Sequence, residues 1–403
     1  MRLREVRSNF KRISPFIGIQ ALIVLFYFWQ HIAGWTLLEI SRIKGQFNFQ
    51  DFVTIFTSSE CFRDIGLQIY VPEATRPLCF YPYGRTLIYL IDLARISSIL
   101  APAIIVLISF AIMHISVKFF SPMNRSEKTF FLLTLISPPL WLAFERGNAD
   151  LLICLLVLSS AYFSFKNKVH FTVAILLLAT LIKFYTFPLL ILILWRQRKT
   201  IHWFISVVLI VTTSYIIFTD IQMQNLQQPG SFAFGSPVVT FWINALSSNL
   251  NLPINEVSIR TGQVLGILIL GMIALIFFTK LKVKSQLSNS ANYSLSDHCF
   301  YSLGVVYVTC FTFGMSYDYR LIFSALAGVF FIRSFEYLGN LRWWFGICWL
   351  LSLWLSVFSF GLSPKMHLLI QWIGNGFDFI TAGLILSLIV REIGIRQLPD
   401  RIS

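Results

Sequence analysis

The sequence predicts an all-α polytopic membrane protein with about twelve transmembrane helices, forming one integral domain over residues 1–403. Three observations predict it. First, hydrophobic residues make up 56% of the chain and charged residues only 12%, with a mean hydropathy of +0.73, where a soluble domain carries about 25% charge. Second, the apolar runs exceed the roughly 10-residue alternating segments of a membrane β-barrel. Third, most of the 32 Lys and Arg residues fall between alternate apolar runs. A chain with both termini in the cytoplasm then obeys the positive-inside bias. The net charge of +14 has that cause and gives no reason to expect a nucleic-acid partner. The setting predicted is the cell (inner) membrane, with membrane lipids around the bundle.

The elements follow in order. Arg2, Arg4, Arg7, Lys11 and Arg12 precede the run 15–35, which is long enough to span and lacks a small-residue cleavage site, so it reads as a retained first helix. Residues 36–95 form a first extracytoplasmic loop. Within it Phe52, Ile55 and Phe56, and later Leu87, Leu90, Ile91 and Ala94, recur at helical spacing, which predicts two short interfacial helices. Cys61 and Cys79 share this loop; two free thiols are expected, with a bridge as the alternative. Cys154, Cys299, Cys310 and Cys348 lie in apolar runs as inert core residues. The six histidines are scattered without HxxH or CxxC spacing, so no protein-built metal site is expected.

A second helix spans 96–117, and Lys118, Arg125 and Lys128 follow in the cytoplasm. From Ser137 to Phe165 two apolar runs flank the island Glu145-Arg146-Gly147-Asn148-Ala149-Asp150. Gly-Asn is turn chemistry, and Pro138-Pro139 permits a kink or an early helix start. This predicts a helical hairpin with an external tip. The 169–195 run is followed by Arg196, Arg198 and Lys199, so a single pass would leave that cluster outside. Two short broken passes with Lys183 at an external tip resolve this, because non-helical backbone at depth is tolerated beside a cavity. Helices at 201–218 and 262–279 flank a second extracytoplasmic loop, 219–260. Gly262 and Gly266 there suit helix packing. A cytoplasmic linker, 285–296, precedes a helix ending at Gly314. Ser316-Tyr317-Asp318-Tyr319-Arg320 forms another external tip, and three further helices return the chain to Arg391, Arg396 and Arg401 inside.

The functional signal is that these motifs share one side. Asp51, Tyr81-Pro82-Tyr83-Gly84-Arg85, the 145–150 island, Lys183-Phe184-Tyr185-Thr186-Phe187-Pro188 and the 316–320 tip all fall on the external face. Charges at membrane depth are costly and mark functional sites by default. Carboxylates can take a proton from a hydroxyl, and clustered cations can hold a phosphate. Asp51 is the candidate base, with Asp64 in reserve. Arg146, Lys183, Arg320 and Arg85 are the candidate phosphate-binding cations. Glu145, Asn148, Asp150, Asp318, Tyr81 and Tyr83 are the candidate sugar- or acceptor-binding groups. Plainer roles stand beside these. Asp51 would cap a helix starting at Phe52. Arg146 and Arg320 would neutralise Asp150 and Asp318 at solvated hairpin tips. Lys183 would snorkel, and the tyrosines would form an interfacial belt.

The loop order and tip motifs resemble the GT-C superfamily of membrane glycosyltransferases, closest to its bacterial polyprenyl-phosphate-mannose-dependent branch, over roughly residues 15–335. Asp51, in Phe49-Gln50-Asp51-Phe52, stands where that family carries its catalytic Asp. Gly66-Leu67-Gln68-Ile69-Tyr70 is similar to its G-x-x-x-Y. Arg146-Gly147-Asn148-Ala149-Asp150 resembles its R-G-Q-x-N tip, with Asn for Gln and Asp for Asn. Lys183-Phe184-Tyr185 resembles its K-x-Y-P, with the proline delayed to 188, and YPYG stands at 81–84 in place of Y-P-P. The resemblance implies an inverting, metal-independent transfer of a mannose-like hexose from a polyprenyl-phosphate-linked donor. The acceptor would be a glycolipid or glycan on the extracytoplasmic face, with no cofactor needed. A lipid-linked polysaccharide polymerase or ligase, or a transporter or flippase, is the competing reading.

Overall fold

The computed structural model describes residues 50–66, 85–120, 123–196, 256–281, 294–313, 321–358 and 364–395, with a few isolated positions between 211 and 239 and at 316–317. The expected first helix, the 201–218 helix, most of the second loop and the linker lie outside the described residues. So do Tyr81, Tyr83, Asp318 and Arg320, and the side chain of Arg85.

The described chain is all-α apart from one two-residue antiparallel pairing, Ala233–Phe234 with Ser316–Tyr317. Its helices are numbered here in chain order. The first loop contains α1 (Gln50–Ile65) and α2 (Arg85–Leu93), as the apolar spacing predicts. Phe52, Ile55 and Phe56 are buried on α1, and Leu87 and Ile91 on α2. On α2 the buried face is rotated from the predicted one: Ile88 is buried and Leu90 exposed. Three polar contacts pin α1. Arg63 Nε lies 2.6 Å from Asp92 Oδ1 on α2. Glu60 accepts from the Ser98 backbone N–H at 2.9 Å and from the Ser98 hydroxyl at 3.3 Å, where α3 (Ala101–Phe120) is about to begin. Cys61 is disulfide-bonded, which corrects the expectation of two free thiols. Cys154, Cys299, Cys310 and Cys348 are free, and Cys79 lies outside the described residues.

The predicted hairpin is built differently. A capping box between Asn124 and Glu127 starts α4 (Arg125–Leu135). Pro138 and Pro139 then occupy the first positions of a separate helix, α5 (Pro138–Arg146), where a missing N–H costs nothing. At nine residues α5 is about 13.5 Å long, too short to span a bilayer alone. The chain bends by 113° into α6 (Asp150–Phe165). The bend sits at Gly147, with φ 59° and ψ 45°, a left-handed conformation in which a side chain is strained. The 169–195 run is broken, as the charge pattern requires. α7 (Val169–Ile182) and α8 (Phe187–Arg196) are separated by Lys183 and a 3₁₀ turn, Phe184–Thr186. Thr180 Oγ1 and Thr186 Oγ1 meet at 3.0 Å across the break.

The C-terminal half is a packed bundle of α9 (Glu256–Lys280), α10 (Leu295–Phe313), α11 (Leu321–Ser334), α12 (Asn340–Phe358) and α13 (Pro364–Ile395). Every residue of α11 from Leu321 to Ile332 is buried. A helix apolar all round belongs at the centre, and α11 packs against α3, α4, α5, α6, α10 and α12. Gly262, Gly266, Leu270 and Ala274 form a buried stripe on α9, and α9 packs on α13. At Gly328, an added Cβ would meet the Trp349 ring at 3.0 Å, and the Trp349 indole donates to Ser324 Oγ at 2.9 Å. Among the described residues, Ser98–Phe119, Thr261–Lys280 and Leu369–Ile393 are long and apolar enough to cross a membrane, and the bent pair α5–α6 qualifies if counted as one span.

Candidate functional site

The site lies where helices end. Asp51 sits in the first turn of α1, so it is inside the helix and not the cap before Phe52. Arg146 is the last residue of α5, Asn148 lies in the bend, and Asp150 opens α6. Lys183 and Tyr185 occupy the break between α7 and α8. These residues come from three separate stretches of sequence, and they form one connected network.

Its outer half is a fork. Asp51 Oδ1 accepts from Arg146 Nη2 at 2.8 Å, and Asp51 Oδ2 accepts from Arg146 Nε at 3.1 Å. Such bidentate pairs combine strength with fixed geometry. Asn148 Nδ2 also donates to Asp51 Oδ2, at 2.7 Å. The side chains of Arg146 and Asp51 are 17% and 10% exposed. The inner half is a second ion pair. Lys183 Nζ lies 2.6 Å from Asp150 Oδ1, with side-chain exposures of 6% and 0%. The Tyr185 hydroxyl donates to the same Asp150 oxygen. Asn148 joins the halves: its Oδ1 accepts from the Asp150 backbone N–H at 2.9 Å and from Lys183 Nζ at 3.5 Å. Tyr185 packs edge-on against Phe323, with ring centroids 5.7 Å apart, which seats the inner pair on the central helix α11.

This geometry corrects the plainer readings. The island is not a solvated tip, since Glu145, Asn148 and Asp150 are buried. Arg146 pairs with Asp51, 95 residues away, and not with Asp150. Lys183 does not snorkel to water; it is buried in an ion pair. Asp64 is exposed and stands thirteen residues along α1 from Asp51, about 20 Å, so it belongs to a different place. Glu145 is buried on α5 beside Arg146.

Tyr185 is a site residue that sequence reasoning quoted in a motif but gave no role. Its signal was a phenol two residues after a lysine inside an apolar run. Asp378 was passed over. It is buried within the Leu369–Ile393 span of α13 and accepts from Ser352 Oγ at 2.5 Å. A carboxylate in the middle of such a run is the readable signal.

Asp51 is paired with Arg146 and Asp150 with Lys183, so this network holds no surplus of positive charge. It can present a carboxylate to a hydroxyl, and it can offer a guanidinium and an ammonium to an anion that competes for them. Among the described residues, no group of three or more His, Cys, Asp or Glu is placed to hold a metal ion. The fold and site define an all-α, membrane-embedded protein with a buried ionic network where its helices break. No family model matches the chain, and neither a curated protein nor a solved structure matches it.

Proposed function

We propose that the protein is an inverting membrane glycosyltransferase of GT-C-like architecture. It has about twelve passes, both termini lie in the cytoplasm, and the site opens to the extracytoplasmic side of the cell membrane. Its donor is a hexose, mannose-like, on a polyprenyl phosphate; its acceptor is a hydroxyl of a glycolipid or glycan. In the transfer, the acceptor oxygen forms a bond to the anomeric carbon. The bond from that carbon to the phosphate oxygen breaks, and its electron pair leaves with the polyprenyl phosphate. The acceptor proton passes to Asp51. Arg146 and Lys183, joined by Arg320 and Arg85, hold the phosphate as its charge grows, where fixed cations contribute most. Glu145, Asn148 and Asp150 orient the sugars.

One observation carries this reading: Asp51, Arg146, Asn148 and Lys183, each from a motif that resembles the superfamily's, belong to a single hydrogen-bonded network. The disulfide at Cys61, on the same helix as Asp51, supports the oxidising, extracytoplasmic side. The test is the lipid-linked and surface glycan profile of a deletion strain. Wild type restores a missing glycan. Asp51→Asn, at equal membrane levels, does not, its transfer rate falling roughly 10²–10⁴-fold. Full restoration by Asp51→Asn sinks the assignment of the base.

A second reading, transport, is favoured by the helix breaks at Gly147–Ala149 and Lys183, since transporters build sites from discontinuous helices. Glycans unchanged in the deletion strain, together with substrate flux in proteoliposomes, would select it.

A further inference from the structure

The two groups that the transferase reading needs free are holding each other. Arg146 donates to both oxygens of Asp51, at 2.8 Å and 3.1 Å, and Asn148 holds Oδ2 at 2.7 Å. A base must turn a lone pair toward the acceptor hydroxyl, and a phosphate must find the guanidinium fork open. While the fork is closed on Asp51 the guanidinium is not offered, and three of the carboxylate's roughly four acceptor sites are taken. The inner pair is not the one a ligand meets first. Lys183 and Asp150 are 6% and 0% exposed, and Tyr185 holds Asp150 as well. The Arg146–Asp51 pair is the more exposed of the two.

We propose that the Asp51–Arg146 pair is an autoinhibitory latch, opened when the donor phosphate takes Arg146 from Asp51. The proposal rests on the transferase reading of the same site. Once Arg146 leaves, Asn148 still holds Oδ2 of Asp51, and Oδ1 is released toward the acceptor. The exchange is driven further by the reaction. As Asp51 takes the acceptor proton it loses its charge and its grip on Arg146. As the sugar–phosphate bond breaks, the phosphate gains a second negative charge and strengthens its own grip. One arginine is thus handed from base to leaving group, and an unliganded site keeps its base covered.

The experiment measures binding of a short-chain isoprenyl phosphate monoester to purified full-length protein by calorimetry. The pH is 7.5, where such a phosphate is mostly dianionic. Asp51→Asn removes the competing charge and is expected to bind the phosphate roughly tenfold tighter than wild type or more, the worth of one charge-assisted hydrogen bond. In an Arg146→Ala background the gain from Asp51→Asn disappears. A gain that persists there reports general charge repulsion and overturns the latch. Arg146→Gln, which keeps a hydrogen-bonding side chain without the charge, replaces Arg146→Ala if that variant does not fold. Binding in wild type with no tightening in Asp51→Asn also overturns the latch, while leaving the transferase reading to the glycan profile. No binding in any variant removes the phosphate site itself, and the latch with it.

Discussion

The two halves of the molecule bury polar groups in opposite ways. Around the site the helices are short and broken: α5, α6, α7 and α8 have 9, 16, 14 and 10 residues. Charges collect at the breaks and are matched across long sequence distances, Asp51 to Arg146 and Asp150 to Lys183. In the C-terminal bundle α10, α12 and α13 have 19, 19 and 32 residues. Three of its buried polar contacts run between uncharged or singly charged side chains on neighbouring helices: Trp349 to Ser324, Ser352 to Asp378, and Tyr307 to Thr381. A helix break in an apolar setting frees backbone groups that must be satisfied, and it points helix ends into the interior. The site half accepts that cost and fills the ends with ions. The bundle avoids it and serves as the wall, with Phe323 of α11 supporting Tyr185.

The contrast predicts that the largest effect comes from splitting the inner pair. Lys183→Met leaves Asp150 buried without its ammonium and should destabilise by about 3–5 kcal/mol, seen as a lowered Tm in detergent. Lys183→Met with Asp150→Asn should recover part of the loss, because no lone charge remains. If the two changes simply add, the residues are not coupled, and the ionic account of the site half breaks. A middling effect is expected in the bundle. Trp349→Phe keeps most of the ring packing and removes the hydrogen bond to Ser324, at a cost of about 1 kcal/mol; a loss as large as that of Lys183→Met would erase the contrast between the halves. The smallest effect is expected on the outside of α1. The Arg63 and Asp92 side chains are 43% and 31% exposed. Arg63→Ala should change stability by about 0–1 kcal/mol, and by less in high salt. A larger, salt-independent loss would show that the anchoring of α1 contributes more than a surface pair does.

Much of the site was legible in the chain. A polar island between apolar runs, and a lysine inside a run whose flanking charges forbid a single pass, are both penalties that membrane burial makes visible. The two short helices α1 and α2 were legible from spacing, because amphipathic periodicity is local. Partner choice was not. Arg146 has Asp150 four residues away, at helical pairing distance on paper, yet Gly147 bends the chain and delivers it to Asp51. The length of α5 was also hidden, since Pro138-Pro139 permits either a kink in one helix or the start of another. The bonded state of Cys61 depends on where its partner is carried, which spacing does not give.

By itself, then, the sequence determined the all-α, membrane-embedded class, the places where helices break, and the charged groups that would have to be accommodated there. Hydropathy, turn chemistry and the cost of buried charge act locally along the chain and can be read from it. Only the tertiary structure decided which charge meets which, how deeply each is buried, and that the candidate base and the candidate phosphate-binding arginine are locked together. Ion pairing depends on distance in space and on the exclusion of water, and both arise only when α1, α5, α6 and the α7–α8 break pack into one another.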